Sequence, residues 1–170
     1  MLSKINPYEI IASHYRSMYR HDTGKIDIIE VGLHFSIPLS LAIVAAYCTE
    51  ALTSEVVGII VSAASIVAGL MLNLLVLVYT LAYNTKNSGK PISKPGEFKT
   101  LTDELLATIS YSILICIGLV ATAFLALAKN LPIAEVGKFV TIFLGASAML
   151  CLLMVLKRCH ILVAFELNQC

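Results

Sequence analysis

The stretch VVGIIVSAASIVAGLMLNLLVLVYTLAY, residues 56–83, runs for 28 positions without a charged side chain. As one helix it would reach roughly 42 Å, more than the ~30 Å hydrocarbon core of a bilayer. It is therefore expected to tilt or to emerge by a turn or two. Two further uncharged runs follow, 24 residues from Leu105 to Ala128 and 18 from Phe139 to Leu156. A fourth candidate precedes them. Phe35 to Cys48 covers only 14 residues, but Ile28, Ile29, Val31 and Leu33 extend it backwards past Glu30 and His34. Residues 28–49 then read as a full span with a charged end. The alternative for this stretch is a re-entrant or interfacial segment.

Composition agrees with a lipid environment. Of 170 residues 58% are hydrophobic and 14% charged, and the mean hydropathy is +0.87. Soluble domains carry about 25% charge. A chain this short exposes much of its surface and needs polar residues to cover it.

Lysine and arginine placement predicts the orientation. Lys4, Arg16, Arg20 and Lys25 precede the first span; Lys86, Lys90, Lys94 and Lys99 lie between the second and third; Lys157 and Arg158 follow the fourth. Only Lys129 and Lys138 belong to the opposite side, giving ten against two. Both ends are expected in the cytoplasm, in an inner (plasma) membrane. The first 27 residues are too polar for the apolar core of a signal peptide.

This layout restricts chemistry. The outer connections have about 7 and 10 residues, and the cytoplasmic segments are too short to bury a core of their own. No H-E-x-x-H, G-x-S-x-G or phosphate-binding glycine loop occurs. Lys94-Pro95-Gly96 reads as a turn. The cysteines at 48, 116, 151, 159 and 170 have no C-x-x-C spacing and no disulfide pattern, and His14, His21, His34 and His160 are scattered. No catalytic residue, metal ligand or cofactor is expected. A formal charge of +1 gives no footprint for nucleic acid.

Ionisable groups inside spans usually mark ion or proton paths. The second, third and fourth spans have none. Glu30 and His34 sit one turn apart near the entrance of the first span and share a face. They read either as a gate at its mouth or as an interfacial pair reaching headgroups and water.

The most informative pattern lies in the second span. Gly58, Ser62, Ser65, Gly69 and Asn73 fall at steps of four, three, four and four, and Val76 and Thr80 continue the row. Such spacing puts small and weakly polar residues on one helix face. The row permits close helix contact in lipid, or lines a narrow wet pore. Asn73 is the single amide of an apolar span and needs a partner helix or water. Shorter rows, Thr108 and Ser112 with Gly118 and Thr122, then Thr141, Gly145 and Ala148, read as packing seams. Ser36 and Ser40 flank Pro38, a candidate kink.

The ends are amphipathic. Asn6-Pro7 reads as a helix start, with Ile11, Tyr15 and Met18 on one face and Arg16 and Arg20 one turn apart. This fits a helix at the membrane interface, or one that docks a partner. After Lys157-Arg158, the residues Ile161, Leu162, Phe165 and Glu166 suggest that the last helix continues past the bilayer.

The stretch Ser65 to Tyr79, SIVAGLMLNLLVLVY, together with the short outer loops and the cationic end of the last span, resembles small four-span bacterial phage-defence proteins of the RexB type. The resemblance implies an ion-conducting or membrane-perturbing role triggered by infection, with a cytoplasmic partner protein. It fixes no functional residue.

The sequence thus predicts an all-α integral membrane protein, an antiparallel four-helix bundle. An amphipathic segment covers 1–27, spans lie at about 28–49, 56–83, 105–128 and 139–156, a loop covers 84–104, and a helical tail fills 157–170. One such chain encloses little space, so a homo-oligomer is expected, with a tetramer as first choice. The expected function is a gated pore or membrane sensor and effector, in antiphage defence. The alternatives are a non-conducting scaffold that recruits a soluble cytoplasmic effector, and a small-solute transporter subunit.

Overall fold

The computed structural model describes residues 7–17, 28–47, 53–87, 95–127 and 133–167. These form five helices: α1 (Pro7–Ser17), α2 (Ile28–Tyr47), α3 (Ser54–Asn87), α4 (Pro95–Ala126) and α5 (Ile133–Leu167). No strand occurs among the described residues. Three helices are long and apolar enough to cross a membrane, over Glu55–Thr85, Phe98–Ala126 and Ala134–Ala164. The apolar part of α2, Gly32–Ala45, is shorter.

Local chemistry sets the ends. The Thr53 carbonyl accepts from the Val57 N–H at 3.0 Å, and its hydroxyl accepts from the Val56 N–H at 3.4 Å. Thr53 thereby caps α3, and Glu55 in the first turn complements the helix dipole. Pro95 opens α4 at a position where its missing N–H costs nothing. Pro95 and Gly96 of the expected turn therefore begin a helix, and residues 84–87 and 95–104 of the expected loop are helical. The spans are longer than the apolar runs because helix continues into the polar flanks. α3, α4 and α5 have 34, 32 and 35 residues, each about 50 Å long and well beyond the ~30 Å apolar thickness. The amphipathic N-terminal helix is present as α1, while Met18, Arg20 and the residues at 88–94 lie outside the described residues.

α4 is the centre of the molecule. It packs against α3, α5 and α1, while α2 packs against α5. The core joins Met71 and Val78 of α3 to Phe98, Leu105 and Ile109 of α4 and to Val155 and Leu162 of α5. The late part of α3 thus meets the early part of α4 and the late part of α5, an antiparallel order. Along α3 the buried positions are Val57, Ala64, Met71 and Val78. That heptad spacing is the signature of a shallow left-handed crossing.

The α4–α5 seam is tighter. A Cβ added at Gly137 would lie 2.9 Å from the backbone nitrogen of Ala126, so only glycine permits this approach. Further along, Gly118 faces Leu144 and Gly145 faces Leu119, each glycine receiving the leucine of the other helix. Thr141 is fully buried. Its hydroxyl bonds the Gly137 carbonyl at 2.7 Å and meets the Thr122 hydroxyl at 3.3 Å.

Candidate functional site

Two places in the molecule concentrate polar chemistry in an apolar frame. The first is the outer face of α3. Gly58, Ser62, Ser65, Gly69, Asn73, Val76 and Thr80 are all exposed, on the side away from the Val57–Val78 seam. A Cβ at Gly58 or at Gly69 would meet nothing within 4 Å. Among the described residues, neither glycine serves a close contact. The hydroxyls bond their own helix: Ser62 to the Gly58 carbonyl at 2.9 Å, Ser65 to Val61 at 2.8 Å and Thr80 to Val76 at 2.8 Å. Such back-bonding lets a hydroxyl sit in lipid without an unmet donor. An amide at Asn73 has two donors and an acceptor to satisfy, which makes it the residue of this face that most needs an outside partner.

The second place was not legible from spacing. It lies where α1 meets α2, α4 and α5. α1 turns Ile10, Ile11, His14 and Tyr15 inward and leaves Tyr8, Glu9 and Ser13 exposed. His14 is 0% exposed and His34 of α2 is 6% exposed. The His14 ring stacks on Tyr111 of α4, with centroids 4.0 Å apart and planes at 12°, and it lies 5.9 Å from the His34 ring. Tyr15 is parallel to Phe35 at 6.1 Å and edge-on to Tyr111 at 6.3 Å. Cys151 of α5 is fully buried beside them. The donor atoms of His14, His34 and Cys151 all lie within 4.8 Å of one another.

Arg158 fixes the neighbouring turn. Its guanidinium donates to the Glu104 carbonyl at 2.7 Å and to the Thr108 hydroxyl at 2.6 Å, and Thr108 itself is buried. Burial first, then the nearby His34 and Arg158, hold the His14 pKa down at about 3. His14 is therefore a neutral imidazole near neutral pH. His34 Nε2 is buried without a hydrogen-bond partner.

The residues expected from sequence separate accordingly. The α3 row is one continuous face. His34 is buried in the aromatic cluster, with its ring edge-on to Phe35 at 6.0 Å. Its expected companion Glu30 lies on α2, with a side chain outside the described residues. His14, Tyr111, Cys151 and Arg158 went unmarked because they come from α1, α4 and α5, far apart in the chain. The usable signal was His14 itself, an imidazole set between Ile11 and Tyr15 on the apolar stripe of α1. Comparisons with family models, curated proteins and solved structures find no match to this chain.

Proposed function

We propose that this chain is a homo-oligomeric membrane protein that acts as a gated pore or membrane sensor and effector, with the α3 face turned toward neighbouring copies. The observation that carries this reading is the exposed row Gly58, Ser62, Ser65, Gly69, Asn73 and Thr80. In lipid, small residues favour association by letting backbones approach, and an amide adds an interhelical hydrogen bond. The open space at Gly58 and Gly69 leaves these small residues unused by any contact among the described residues. A ring of copies joined at this face would enclose a path that a single bundle lacks.

The gate in this reading is α1. It packs on α4, and α4 packs on α3, so release or clamping of α1 has a short packed route to the oligomer face. In this reading α1 is cytoplasmic, which the basic flanks at Lys4, Arg16, Arg20 and Lys25 favour, and a soluble partner could reach it there. An infection-triggered role is the biological setting suggested by the likeness to phage-defence membrane proteins.

The test is membrane potential in bacteria, read with a voltage-sensitive dye after induced expression, with oligomer size measured on the same membranes. Loss of potential that Asn73→Leu reduces at equal assembly supports the pore. Unchanged potential at full insertion and assembly, with or without a triggering infection, rejects conduction and leaves the non-conducting scaffold.

A further inference from the structure

We propose that His14, His34 and Cys151 form a binding site for one soft monovalent metal cation, of which Cu(I) is the representative, and that this cation clips α1 to α2 and α5. Two imidazoles and a thiolate are a donor set suited to soft and borderline metals rather than to Mg²⁺ or Ca²⁺. The three donor atoms already lie within 4.8 Å of one another. Metal–nitrogen and metal–sulfur bonds of about 2.0–2.3 Å would bring them to about 3.5 Å, a contraction of roughly 1 Å that side-chain rotation can supply. All three residues are more than nine-tenths buried, and His34 Nε2 has no hydrogen-bond partner. An unmet imidazole nitrogen in a buried pocket is costly, and a metal would satisfy it. The stack of His14 on Tyr111 holds that ring in place from behind.

Charge and ligand number choose among metals. The site offers three protein donors, enough for Cu(I), whereas Zn(II) takes four. A thiolate with Cu(I) is neutral overall, while Zn(II) would leave a net positive charge. The Arg158 guanidinium stands close enough to act on His14, so an added positive charge is disfavoured. Binding requires Cys151 to lose its proton to solvent, and no electron is transferred. The site does not depend on the oligomer reading, since its ligands come from one chain.

The experiment is a titration of the full chain, purified in detergent under reducing conditions, with Cu(I) against a chromophoric competitor and separately with Co(II) as a visible stand-in for Zn(II). The expected result is one Cu(I) per chain, bound more tightly than Co(II), with affinity falling at least about a hundredfold in Cys151→Ser and in His34→Gln. X-ray absorption at the copper edge should show a sulfur neighbour that Cys151→Ser removes. Cys159→Ser, which changes a thiol outside the cluster, should bind as the unaltered chain does. Circular dichroism and gel filtration verify that each variant is folded. His14→Gln and Cys151→Ala are second variants for any that is not. Absence of stoichiometric Cu(I) binding, or binding that survives loss of Cys151, overturns the proposal. Tighter binding of Co(II) than of Cu(I) overturns the assignment to a monovalent cation.

Discussion

The seam between α4 and α5 and the outer face of α3 use the same residue types to different ends. Between α4 and α5, glycines and threonines at helical spacing are consumed within the chain: Gly137 accommodates the Ala126 backbone, and Thr141 bonds Gly137 and meets Thr122. On the outer face of α3, glycines and serines at the same spacing meet open space. A row of small residues therefore permits a close approach, without recording whether any neighbour uses it. The filled side also receives α1 and α2, and with them the buried His14 and His34. On the bare side no described residue lies within 4 Å of a Cβ at Gly58 or Gly69.

The largest expected effect is on the filled side, where charge should not be tolerated. His14 has a folded pKa held near 3 by burial, His34 and Arg158, against about 6.5 when unfolded. The unfolded chain therefore binds the extra proton between those values. Stability should be whole above about pH 6.5 and fall as pH drops toward 3. By about pH 5 the loss from this group should reach about 2 kcal/mol. Thermal unfolding of the metal-free protein in detergent should show it. His14→Phe, which retains the stack on Tyr111, should flatten that part of the profile. The groups facing His14 are His34 from α2, Tyr111 from α4, Cys151 and Arg158 from α5, and its neighbour Tyr15. A profile that stays unchanged in His14→Phe would show that this side is not closed around His14.

Gly137→Ala should come next. Its Cβ would lie 2.9 Å from backbone, so α5 must move away from α4. The expected cost is about 1–3 kcal/mol, read as a lower midpoint of thermal unfolding in detergent. Arg158→Met should cost about 1–2 kcal/mol, because it removes the part-buried donor to Thr108 and to the Glu104 carbonyl that ties α5 to α4. Thr108→Val in that background should not restore the loss, since the Thr108 hydroxyl still donates to the Glu104 carbonyl at 2.8 Å.

The smallest effect on stability should be on the bare side. The Cβ of Gly69→Ala meets nothing within 4 Å among the described residues and improves helix propensity, so the monomer should gain no more than about 1 kcal/mol. Gly69→Leu should leave monomer stability nearly unchanged and weaken assembly at least about tenfold, measured by oligomer mass against protein concentration. Equal assembly in Gly69→Leu would mean that this face meets lipid alone, and would erase the functional side of the comparison.

Much of the architecture was legible in residue order. The long runs at 56–83, 105–128 and 139–156 correspond to the three helices able to cross a membrane. They were readable because a long uncharged and mostly apolar run needs no knowledge of partners. The expected ends were too short because the runs stop at the first charge, whereas a helix continues through Lys99, Asp103 and Glu104 at the start of α4. These polar side chains disfavour lipid but not the helical backbone. The first expected span is less clear-cut. α2 is a helix over Ile28–Tyr47 with Pro38 buried inside it, but its described apolar part is Gly32–Ala45.

By itself, the sequence determined a helical chain with three segments fit for a membrane and a row of small residues along α3, because hydropathy and helical periodicity are properties of neighbours in the chain. Only the tertiary structure decided that this row faces outward, and that His14, His34 and Cys151 share one buried pocket. Which face of a helix is covered, and which distant side chains converge, depends on how α1, α2, α4 and α5 cross. Those crossings are settled by long-range packing such as the close approach at Gly137, which no local pattern encodes.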